Sequence, residues 1–150
     1  MTTNSMIDPH PHHVGAQRAH TATEFLVPLG RLLFVAIFLM SVPMHFKGQM
    51  IEHARQAGVP LADIAVPLSG IIALIGGLSV LLGFKARLGA WFLVLFLVPV
   101  TLMMHKFWGI ADQQQAMMQQ VMFMKNLSML GAALMITHLG AGPVSFDARR

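Results

Sequence analysis

Four apolar stretches constrain this chain more than any other feature. Each is close to the ~20 residues an α-helix needs to cross about 30 Å of hydrocarbon. They cover residues 25–44, 64–84, 88–104 and 117–139, and no charge falls between Ile64 and Phe84. In lipid every backbone N–H and C=O must be satisfied within the chain, so stretches of this length are read as helices rather than strands. Composition agrees: 55% of the 150 residues are hydrophobic and only 11% are charged, against about 25% charged in soluble domains. A chain this short cannot hide so much apolar surface from water. The expected fold is all-α, a four-transmembrane-helix bundle.

Two function classes fall away at once. There is no cysteine, which removes thiol–disulfide chemistry, Cys-ligated iron–sulfur clusters and thiolate zinc sites. The formal charge is +4, but Lys and Arg are scattered and form no basic stripe for nucleic acid.

Residues 1–24 are polar and carry His10, His12, His13 and His20. With no basic region leading into a short apolar one, they do not follow the secretory signal pattern. They are read as a flexible His-containing tail without the fixed spacing of a metal site. Residues 25–142 form the membrane domain and 143–150 a short C-terminal tail. Arg31, about one turn into the first span, is expected to snorkel to the interface. Gly70, Gly76, Gly77, Ser79 and Gly83 in span two, and Ser128, Gly131, Ala132 and Ala133 in span four, offer close-packing faces.

Four crossings put both termini on one side. Arg18, Arg31, Lys85, Arg87, Arg149 and Arg150 gather there, against Lys47, Arg55 and Lys106 on the other side. The excess of basic residues predicts cytoplasmic termini. Between spans one and two, Phe46 to Ala57 reads as a short interfacial or re-entrant helix. Its apolar residues are Met50, Ile51, Ala54 and Ala57, its polar ones Lys47, Glu52, Arg55 and Gln56. Gly58 and Pro60 stop it.

Polar groups inside membrane helices are costly and mark candidate sites. Lys125, with Asn126 beside it, lies about two turns into span four. Either it serves a buried site, or the helix effectively starts near it and the amine snorkels. Ser41 and His45 share a helical face at the end of span one, as do Thr101 and His105 at the end of span three. Glu52, His53, Asp63 and Asp112 fall on the same side. The resulting expectation is a wet pocket with Lys125, His105 and His45 as candidate catalytic groups. There an imidazole would carry a proton and the lysine hold an oxygen of a quinol or small acid. Haem ligation by two of the histidines would need a facing geometry, and no metal ligand set is read, because His45, His53 and His105 share no i, i+4 pair on one helix. His138 is read as an interface residue. The methionines of spans three and four are read as core filling rather than as thioether ligands to copper(I).

Several short motifs occur in a recognisable order. They are Gly30-Arg31-Leu32-Leu33, Ala57-Gly58-Val59-Pro60, Ile75-Gly76-Gly77-Leu78, Leu82-Gly83, His105-Lys106-Phe107-Trp108, and Phe123 to Gly131 with its Lys125-Asn126 pair. Pro143, Ser145 and Asp147 follow. The run from Gly30 to Phe146 resembles the DoxX family of small four-helix membrane proteins. The resemblance implies a place in the bacterial cytoplasmic (inner) membrane. It also implies a subunit supporting quinone-linked oxidoreduction, thiosulfate oxidation included, or an oxidative-stress assembly. With it, Thr101, Asn126 and Trp108 become candidate quinone-pocket residues. Ala73 stands where that family commonly has a glutamate, so Lys125 would lack that partner. The alternative function is a non-catalytic membrane anchor or scaffold recruiting a soluble enzyme. Expected partners are the lipid bilayer, a soluble oxidoreductase or another membrane subunit, and further copies of the chain. A small-solute transporter is disfavoured by the lack of an internal repeat.

Overall fold

The computed structural model describes residues 24–149; the expected N-terminal tail lies outside the described residues except for Glu24. Five α-helices form among them: α1 Leu26–Ser41, α2 Gly48–Gln56, α3 Ala62–Leu82, α4 Ala86–Met104 and α5 Gln113–Leu139. A 3-10 turn, Val42–Phe46, extends α1, and a second, Asp147–Arg149, ends the described chain. With the turn, α1 makes a 21-residue span, and α3, α4 and α5 are likewise long and apolar enough to cross a membrane. The chain is therefore a four-span bundle with one short helix between the first two spans.

Apolar residues cover the outside as well as the inside. Met40 is 80% exposed and Leu33 68%, which suits a surface wetted by lipid rather than water. The methionines follow this pattern: Met117, Met118, Met124 and Met135 are exposed. Core filling is thus corrected for these four, since lipid rewards an apolar side chain on either face.

Inside, α3 packs on α4, α4 on α5 and α1 on α3, whereas α1 and α5 are not closely paired. The core joins Val35 and Phe38 of α1, Ala73 and Val80 of α3, Ala90, Leu93 and Leu97 of α4, and Ala133 of α5. At the α3–α4 crossing, a Cβ on Gly76 would come within 2.8 Å of the Gly89 carbonyl oxygen. Only a residue without a side chain allows that approach. Gly131 differs, for nothing lies within 4 Å of the Cβ it lacks. The expected small-residue packing of span four therefore narrows to buried Ala133.

On the C-terminal side the chain folds back. Asp147 accepts hydrogen bonds from the Lys85 and Ala86 amides at 2.8 and 2.9 Å, filling the role of an N-cap for α4. The Asp147 amide returns a bond of 2.8 Å to the Gly83 carbonyl. Arg31 does not snorkel: it is 6% exposed, and its Nη2 donates to the Val144 carbonyl at 2.7 Å. Gly83, at φ +64°, makes the turn and leaves room for the Arg31 guanidinium, which any Cβ there would strike.

Candidate functional site

On the opposite side, α1 ends where its Pro43-containing 3-10 turn begins, and α2 docks across the top of the bundle. Ala54 of α2 packs with Ala62 and Val66 of α3, and Met50, Ile51, Val59 and Met104 close around them. The apolar face of α2 thus meets protein as well as the membrane boundary. Its polar face is held by Arg55, which donates to Glu52 and to both oxygens of Asp63, the latter at 3.0 Å each. The hydrogen bonds and charge of Asp63, with those of Glu52, raise the Arg55 pKa above its usual value.

Beneath α2 lies a cavity of about 360 Å³ between α1, α3, α4 and α5, within the ~300–1,000 Å³ typical of small-molecule sites. Its walls are mostly apolar, with Ile37, Phe38, Phe96, Leu97, Pro99 and Val100 among them. Met50, Met103, Met104 and Met129 add flexible surface. The polar groups on it are Ser41, His45, His53, Ser69, His105, Lys125 and Asn126.

The two serines spend their hydroxyls locally, Ser41 on the Phe38 carbonyl at 2.8 Å and Ser69 on the Val66 carbonyl at 2.7 Å. His45 is 8% exposed and its Nδ1 lies 2.9 Å from the Ser41 carbonyl oxygen. A carbonyl only accepts, so Nδ1 carries a proton, and Nε2 makes no hydrogen bond to a described residue. Gly70 makes the space for that ring, since a Cβ there would sit 2.7 Å from the His45 Cβ. His105 Nδ1 bonds Gln119 Oε1 at 3.0 Å, linking the end of α4 to α5. Asn126 is 4% exposed, and its amide makes no hydrogen bond to a described residue.

Helix length bears on both readings of Lys125. The 27 residues of α5 span about 40 Å at ~1.5 Å each, roughly 10 Å more than the hydrocarbon core. Its polar start, with Gln113, Gln114, Gln115, Gln119 and Gln120, takes up that excess at the interface. The helix is continuous from Gln113, capped by Asp112 on the Gln115 amide at 2.6 Å. Lys125 follows this polar start by about one turn; it is exposed and also lines the cavity. Its Nζ stands 3.4 Å from Met122 Sδ, and it forms no ion pair among the described residues.

Of the residues singled out in the sequence, His45, His105, Lys125 and Asn126 meet at this cavity. Thr101 and Trp108 are not among its lining residues. The Thr101 hydroxyl turns back to the Leu97 carbonyl at 2.6 Å, satisfied within its own helix. Trp108 packs edge-on against Phe107 and Phe123, at 5.3 and 6.0 Å between centroids. Sequence reasoning did not single out Ser69 or place Gly70 against a histidine. The adjacency of Ser69 and Gly70 within an apolar span was the available signal.

A family model matches residues 12–150, and it is that of the SURF4 family. The chain belongs to the SURF4 family. It is also similar to the inner membrane protein YphA of Escherichia coli (strain K12), 24% identical over 131 residues that cover 85% of this chain and 92% of that protein. No solved structure matches. The DoxX resemblance is thereby corrected, because the family match spans almost the whole chain and is to SURF4. The motifs that carried the resemblance are mostly glycine steps and apolar runs, which any compact bundle of membrane helices needs. Ala73, the position at which the chain departed from the DoxX pattern, is fully buried in the core of this SURF4-family protein and does not line the cavity.

Proposed function

We propose that this SURF4-family protein binds a membrane-dissolved amphiphile in the cavity beneath α2. The observation that carries the reading is Asn126: a residue 4% exposed, on the cavity wall, whose amide has no hydrogen-bond partner among the described residues. An amide that opens onto an apolar cavity with its hydrogen-bonding capacity unspent is a ready partner for a ligand's polar head, a bond worth about 0.5–1.5 kcal/mol. Unpaired His45 Nε2 and the Lys125 ammonium supply further contacts for that head. The YphA relative is an inner membrane protein, which supports the same location here. The surplus of basic residues at the C-terminal side supports cytoplasmic termini, so the cavity faces the outer leaflet.

A quinone is one ligand class with the required form, an apolar tail and a ring oxygen for Lys125 or Asn126 to hold, while His45 moves a proton. In that role the chain is a membrane subunit for quinone-linked oxidoreduction. The second reading, a membrane anchor for a soluble enzyme, draws on the exposed Gly131 face of α5.

The test is purification of the full chain in native lipid discs, followed by mass spectrometry of what it carries. The expected result is a stoichiometric small amphiphile, reduced at least about tenfold in Asn126→Leu, the loss of one well-made buried hydrogen bond. A quinone among the extracts supports the redox reading. A soluble protein in its place, with no small molecule, overturns the proposal in favour of the anchor.

A further inference from the structure

The ionisable groups on the cavity wall are His45, His53, His105 and Lys125, and no carboxylate is among the lining residues. The acids on that side of the molecule are already engaged. Glu52 and Asp63 hold Arg55, and Asp112 caps α5. Lys125 is thus an exposed cation within a membrane-capable helix, at the edge of the cavity, with only a thioether at hydrogen-bonding range. Lys47 and Lys106, the other ammonium groups on this side, are exposed and do not line the cavity. A membrane-embedded ammonium without a counter-charge is expensive, and a neutral ligand would leave it so.

We infer that the amphiphile is a long-chain carboxylic acid, its carboxylate held by Lys125 and Asn126 and its chain lying along Met103, Met104 and Met129. This rests on the cavity being an amphiphile site, and it names the head group. One ammonium matches one negative charge. The wall has no arginine, the side chain whose planar fork suits a phosphate. Flexible methionines accommodate an acyl chain of variable bend. The acid enters from the bilayer between α1 and α5, two spans that both line the cavity without packing closely on each other.

The experiment uses the full chain in phosphatidylcholine nanodiscs, with labelled palmitate, 1-hexadecanol and hexadecyl phosphate as probes and empty discs as blank. Palmitate should bind about tenfold tighter than hexadecanol, the effect of one charge-assisted hydrogen bond. Lys125→Met should abolish that preference while hexadecanol binding persists, which also reports that the variant is folded. Lys125→Arg should restore it. Equal binding of acid and alcohol by the native chain overturns the inference and leaves the amphiphile site standing. Tighter binding of hexadecyl phosphate than of palmitate also overturns it. No probe bound above the blank overturns both.

Discussion

Gly70 and His45 form the tightest pairing around the cavity, and the glycine is there because the imidazole needs its space. Adding one methyl group places it 2.7 Å from the His45 Cβ, an atom too close to the backbone to swing away. Gly70→Ala should therefore destabilise the protein by about 1–3 kcal/mol, as overpacking of a filled site does, and should weaken ligand retention as the ring shifts. Gly131→Ala has open space around it and should be neutral or stabilising by up to ~1 kcal/mol, because alanine is the better helix former. Detergent thermal unfolding of the two variants side by side checks both signs. From sequence the two glycines look alike, each a small residue in an apolar span. What separates them is the side chain of another helix, and that is not a local property.

Among the elements, α5 behaves least like its neighbours. It exceeds the hydrocarbon thickness, begins in glutamines and depends on Asp112 for its first turn. Asp112→Ala removes the acceptor for the Gln115 amide and should cost about 1 kcal/mol. The fraying should appear as faster hydrogen exchange over Gln113 to Gln119, and with it loss of the His105–Gln119 bond. The short helix α2 was legible as an amphipathic segment from Met50, Ile51 and Ala54. Its docking on α3 was not, because that depends on Arg55 meeting Asp63 across the Gly58 turn. Both charges are largely exposed, so the pair orients α2 more than it stabilises it.

For the whole molecule, the C-terminal segment acts as a clasp. Asp147 caps α4 and Arg31 anchors the Val144 carbonyl, so residues distant in sequence fix the turn between α3 and α4. Asp147→Asn keeps the shape but removes the charge and turns one of the two accepting oxygens into an NH2 donor, so only one of the two amide bonds at this helix N-terminus survives. The expected loss is about 1–2 kcal/mol, read as lower exchange protection of the Lys85 and Ala86 amides and earlier thermal unfolding. The cavity at the other end should keep its ligand in this variant, since none of these residues lines it.

Sequence alone determined the all-α membrane bundle, because the thickness of hydrocarbon and the cost of unpaired backbone act on each stretch locally. It also pointed to His45, His105, Lys125 and Asn126, as polar groups in apolar helices stand out against any such background. It did not determine the family, for the glycine steps read as DoxX-like are demands that close helix packing makes of many bundles. Only the tertiary structure decided that those four residues share one cavity while Thr101 and Trp108 stand apart, and that Arg31 is buried rather than snorkelling. Each of these depends on which face of one helix meets which face of another. That is set by the packing of the whole bundle and is not written in any single span.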